Sequence, residues 1–153
     1  MFKKLSSIKK ALSPIPLGSA RHDFSNVFLK EKYDLEKLSN KPLSESSILV
    51  MGCGYRYPDV LLFSNICKEA IGVDVISNFY KDGFFGTYAG AIKSGKGILK
   101  SLLYSLKRRR GTKAYYSFLE KESQTFFNHK DTKVIKYSGH ELSFENNKFD
   151  ILI

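Results

Sequence analysis

Ile48-Leu49-Val50-Met51 is an apolar run that stops at Gly52-Cys53-Gly54. Two glycines so spaced let a backbone approach a ligand closely. Pro58 then stands where a first helical turn accepts it, and a helix N-terminus favours polar or anionic groups. About twenty residues after the turn, Asp74 ends a second apolar run, Ala70-Ile71-Gly72-Val73. A carboxylate there can accept both hydroxyls of an adenosine ribose. A third segment, from Tyr137 to Asp150, carries Ser138, Gly139 and His140 in a polar loop between two further apolar runs. Together these residues have the makings of a cofactor site at one end of a sheet.

Two cofactor classes share a glycine turn followed by an acid, and Tyr57 separates them. The dinucleotide pattern G-x-G-x-x-G requires glycine at position 57, where this chain has tyrosine. That bulk obstructs close packing around a pyrophosphate. S-adenosylmethionine has no phosphate, so its turn tolerates the change.

On these residues the chain resembles a class I S-adenosylmethionine-dependent methyltransferase, of the broad methyltransferase-domain families that act on small molecules and lipids. Val50-Met51-Gly52-Cys53-Gly54 resembles the first motif of that family, and Gly72-Val73-Asp74 the second. Leu142 to Leu152 resembles its LPF-x-D-x-FD-x-V segment. The resemblance implies a Rossmann-like α/β sheet with strands 3-2-1-4 and S-adenosyl-L-methionine as cofactor. It also implies roles by position. Met51, Gly52, Cys53 and Gly54 would pass under the methionine part, Asp74 would bind the ribose, and Val75 would flank the adenine. Ser138, Gly139 or His140 would face the adenine amino group, and Arg21 or His22 could reach the cofactor carboxylate from an N-terminal lid. Three positions depart from the family pattern: Val50 and Ser138 replace acids, and Arg56 replaces a glycine. A cofactor-fold module that binds without turnover is therefore the second reading. Substrate and catalytic residues in the family follow the fourth strand. They are expected beyond Ile153, so the sheet is expected to be incomplete and the chain truncated.

The elements that must hold this site follow from periodicity. Residues 1–43 read as an N-terminal helical lid, with a helix starting near His22 and capped by Asp23 or Ser25. Residues 44–75 form a βαβ unit with strands at Ser47–Met51 and Ala70–Val75, and with a helix from Asp59 to Ala70 between them. Residues 76–132 are a helical insert. It is read as a glycine-punctuated loop, a helix from Ala91 to Leu106, a stop at Gly111 and a helix from Lys113 to Phe127. Tyr116, Leu119, Phe126 and Phe127 of that last helix are expected in the core. Residues 133–153 supply strands at Lys133–Tyr137 and Phe149–Ile153, with Asp150 bracing the loop beside the first strand.

The chain of 153 residues has 25 Lys and Arg against 15 Asp and Glu, for a net charge of +10. That composition excludes wholesale disorder and a disulfide-stapled scaffold. Cys53 and Cys67 lack zinc-type spacing and read as reduced, which fits a cytoplasmic chain with no metal site. Met1 to Leu12 is a short basic amphipathic stretch rather than a secretory signal. Between Lys81 and Lys113 the only acid is Asp82. Such a one-sided run, centred on Lys107, Arg108, Arg109 and Arg110, suits an anionic surface or an acidic acceptor. The expected acceptor is a small molecule, a lipid or a glycan precursor, with the insert as part of a substrate lid. Nucleic acid ranks last as a partner, because no nucleic-acid motif accompanies the charge.

Overall fold

The computed structural model describes residues 16–75, 83–137, 142 and 144–153. Its centre is a four-stranded sheet in which every pairing is parallel. The strands are β1 (Ser47–Met51), β2 (Glu69–Asp74), β3 (Lys133–Lys136) and β4 (Ile151–Leu152). Their order across the sheet is β3-β2-β1-β4, the order that the resemblance implied. The register sets Val50 beside Gly72 and Met51 beside Val73, so both central strands end at the same rim.

The two central strands are apolar and buried on both faces, as parallel strands must be. Alternation divides them between two apolar clusters. Ile48, Val50 and Ala70 face the helices. Leu49, Ile71 and Val73 face the opposite way, where Tyr137, Leu142, Phe144 and Phe149 cover them. The segment read as a polar loop is thus also the apolar cover of one sheet face. Both edge strands are shorter; Lys133 and Lys136 on β3 discourage a further strand from pairing there, whereas the other edge, β4, is apolar, with Leu152 exposed.

The first helical stretch begins earlier than its polar residues suggest. It comprises α1 (Gly18–His22), a π-helical turn (Asp23–Phe28) and α2 (Leu29–Leu38). Asp23 therefore sits inside it and caps nothing. The wide turn directs Phe24 and Phe28 into the core, where Phe28 meets Phe63 edge-on at 5.1 Å between ring centres. Helix α3 (Pro58–Phe63) is half the expected length. Its four apolar residues are all buried, and the chain then needs residues 64–68 to turn back into β2.

The insert consists of two helices, α4 (Gly83–Lys93) and α5 (Ile98–Ser123). A helix stands where the glycines suggested a loop. Phe84 stacks on Tyr88 one turn away, and packing of α4 on α5 outweighs the low helix propensity of glycine. Gly111 does not stop α5, which runs through it for 26 residues. Thr112, Tyr115, Tyr116 and Leu119 just beyond it are buried and hold the helix to the domain. The basic run is thus mid-helix rather than at a helix end. Phe127 joins the core with Tyr116 and Leu119, but Phe126 is 83% exposed. Among the described residues no helix is long and apolar enough to cross a membrane.

Candidate functional site

The turn after β1 is built on left-handed glycines. Gly52 and Gly54 have φ of 68° and 67°, a conformation that side chains disfavour. The Gly52 amide donates to the Val73 carbonyl at 2.8 Å, which folds the turn across the end of β2. The Gly54 amide then donates to Asp74 Oδ2 at 2.7 Å. Asp74 is only 7% exposed and sits on the last residue of its strand. Among the described residues, a β-carbon added at Gly52 or Gly54 would meet nothing within 4 Å, so none of them packs on that side of the turn.

Close packing from behind fixes this geometry. Gly72 lies against the back of the turn, where a β-carbon would come within 2.6 Å of Val60 Cγ2 and 2.9 Å of Cys53 Sγ. Cys53 is buried here, and burial, aided by the nearby Asp74 carboxylate, pushes its thiol up to about 12. It is a packing residue and no nucleophile. Cys67, with a thiol pushed by burial to about 11, is equally inert. Val50 is buried among apolar side chains, so nothing at that position offers charge to an amine.

Tyr57 shapes the far side of the turn. It takes a left-handed φ of 40° directly before α3, and its side chain is fully buried. Its hydroxyl lies 3.2 Å from His129 Nδ1. The His129 ring also packs edge-on against Tyr116, 4.5 Å between centres. Tyr116 in turn donates its hydroxyl proton to the Arg56 carbonyl at 2.7 Å. Arg56 thus belongs to an aromatic brace. Its guanidinium stands over the rings of Tyr115 at 4.5 Å and Tyr55 at 5.1 Å. Arg108 of α5 also stands over Tyr55, at 4.6 Å, and so brings the basic helix to the edge of the turn.

An acidic cluster lies behind this brace. Tyr115 donates to Asp23 Oδ2 at 2.5 Å, and burial with that hydrogen bond holds the phenol proton tightly. Asp59, in the first turn of α3, is pushed up to about 7 by burial first and then by Glu31 and Asp23. Glu31 is raised by burial as well. Among the described residues Asp59 Oδ1, Glu31 Oε2 and Arg56 Nε are buried without a hydrogen-bond partner. No group of described residues could hold a metal ion.

The structure brings Met51, Gly52, Cys53, Gly54, Asp74 and Val75 together at the carboxyl ends of two adjacent parallel strands. Met51 and Val75 are exposed, the latter by 68%. Ser138, Gly139 and His140 lie outside the described residues. Tyr137, immediately before them, donates its amide to the Asp74 carbonyl at 2.8 Å. Arg21 and His22 are exposed on α1, where His22 pairs with Asp23 at 3.5 Å. Asp150 braces the loop beside the first strand as expected. It accepts from the Ser47 amide at 2.8 Å and pairs with Lys41 at 2.7 Å, contacts that hold its carboxyl below the usual range.

The brace of Tyr57, Tyr116 and His129 escaped the sequence reading, because its members are dozens of residues apart. A groove lined by Lys68, Glu69, Asp131 and Lys133 lies at the opposite, amino end of the strands. Open parallel sheets bind ligands at their carboxyl ends, which favours the glycine turn over that groove. No family model, no curated protein and no solved structure matches the chain.

Proposed function

We propose that this chain binds S-adenosyl-L-methionine on a Rossmann-like class I methyltransferase sheet and transfers the methyl group to a small-molecule, lipid or glycan-type acceptor. One observation carries the reading. The hydrogen bond from Gly54 to Asp74 couples a left-handed glycine turn to an acid at the ends of neighbouring parallel strands. None of the described residues covers the open side of the turn, and that supports room for an adenosine cofactor there. Asp74 would hold the ribose, the backbone of Gly52 to Gly54 would pass under the methionine part, and Val75 would flank the adenine. When bound, the cofactor supplies a methyl group on a sulfonium with a good leaving group. The residues of this chain then act by positioning and by keeping the turn rigid. Titration calorimetry with S-adenosylhomocysteine tests the reading. We expect saturable binding that is lost in Asp74→Ala, and no binding heat from the folded chain would refute it.

Val50 favours a second reading. An apolar, buried residue at that position gives the cofactor amine no counter-charge, which fits a module that binds without turnover. Binding of S-adenosylhomocysteine with no methyl transfer to any cell-extract fraction would select it.

A further inference from the structure

The α4–α5 hairpin is inside out. From Ile98 to Thr112 the buried residues of α5 are polar: Ser101, Ser105 and Thr112 bond to backbone carbonyls of the preceding turn, and only beyond them do Tyr115, Tyr116 and Leu119 bury apolar surface against the domain. Ile98, Leu102 and Leu106, spaced four apart on the same helix, are exposed, and so is Leu99. Phe85 and Ile92, seven apart on α4, are exposed too. Phe85 at 81% and Ile98 at 73% are nearly bare. Ordinary surface helices have the reverse pattern. Apolar residues outward with small residues between the helices is the arrangement of helices whose surroundings are lipid.

The charge on the same hairpin identifies the surroundings. From Gly83 to Leu119 the chain has eight Lys and Arg and no Asp or Glu. Lys93, Lys96, Lys100, Lys107 and Arg109 are all exposed beside the bare apolar residues. A second copy of the chain would bring like charges face to face. Nucleic acid would answer the charge but leave the leucines in water. An anionic bilayer satisfies both, since its headgroups attract cations and its acyl boundary takes apolar side chains.

We propose that the α4–α5 hairpin docks this protein on the surface of an anionic phospholipid membrane. The outward leucine and isoleucine side chains enter the acyl boundary, and the lysines and arginines lie at the headgroups. Arg108 over Tyr55 joins this helix to the glycine turn, so docking brings the candidate site to the membrane surface. The proposal does not depend on cofactor binding.

Flotation with vesicles of phosphatidylglycerol and phosphatidylcholine in equal parts, against vesicles of phosphatidylcholine alone, tests it. Binding is expected on the anionic vesicles only, and it weakens as salt is raised. The double variant Ile98→Ser with Leu102→Ser should weaken binding about a hundredfold, as burial of two large aliphatic side chains requires. Lys107→Ser with Arg109→Ser should weaken it about thirtyfold at low salt. All four positions are exposed, and an unchanged melting temperature will show that the variants fold; a variant that melts early is replaced by Leu99→Ser. Absence of vesicle binding by the full chain overturns the proposal. So does loss in the charge variant alone, or tighter binding to single-stranded RNA than to vesicles. Vesicle binding without S-adenosylhomocysteine binding upholds the docking and removes only the methyl-transfer reading.

Discussion

The sheet and the α4–α5 hairpin solve the same burial problem in opposite ways. Around β1, β2 and α3 the interior is apolar, with Phe63, Leu61 and Ile48 almost wholly buried. In the hairpin Ser101 and Ser105 are buried along with Ala91, while Phe85, Ile98 and Leu99 point outward. The first region gains stability from burial and aromatic contact. The second closes its buried hydroxyls on its own backbone and leaves its apolar surface for something else. One region is built to hold a site still, the other to meet a partner.

The largest expected effect separates the two regions directly. Phe63→Ala should cost about 4 kcal/mol in denaturant unfolding, because a fully buried ring against Phe28 leaves a cavity. Ile98→Ser in the hairpin, at a position 73% exposed, should cost less than about 0.5 kcal/mol. Equal costs would erase the distinction. Next in size, Ser105→Leu should destabilise by about 2 kcal/mol, since its site is closed and has no room for added carbons. A neutral or stabilising result would mean that the serine interior is loosely packed.

The acidic cluster gives a pH-dependent effect of similar size. In the folded chain Asp59 keeps its proton up to about 7, against about 4 for an unfolded carboxyl. The folded state therefore binds the extra proton between those values. The stability it contributes is fully present below pH ~4 and is lost as pH rises through ~7. Melting temperature should fall from pH 5 to pH 8. Asp59→Asn should remove most of that fall and stabilise the protein at pH 8 by about 2 kcal/mol after solvent screening. An unchanged pH profile in the variant would contradict the burial of Asp59. The smallest effect is at the brace: Tyr57→Phe should cost about 1 kcal/mol, the loss of one hydrogen bond to His129. Chemical denaturation resolves it, and no change would mean that the ring alone holds the turn.

The sheet was legible because its signals are local. Ser47–Met51 is a continuous apolar run closed by glycine, and the structure has a strand with those bounds. The helical character of the insert also came through, while the strand order rested on the resemblance and not on a local signal; Asp150, expected at the loop beside the first strand, holds Lys41 in that loop and the Ser47 amide. The insert's boundaries did not. Gly83 to Gly90 and Gly111 read as breaks by propensity, and tertiary packing of α4 on α5 overrode them. Phe149 read as the start of the fourth strand, which begins only at Ile151; with Phe144 it covers a sheet face instead. At the site, the glycine turn and Asp74 were found at once by their spacing. Tyr57, Tyr116 and His129 carry no spacing signal, because they meet only when α5 folds back over the turn.

The most direct test of the cofactor site is an amide-resolved NMR titration with S-adenosylhomocysteine. The account predicts saturable shifts at Gly52, Cys53, Gly54, Asp74 and Val75, with none at Ile98, Leu102 or Leu106. Shifts confined to Lys68, Glu69 and Lys133 at the opposite end of the sheet, or none anywhere, would contradict it.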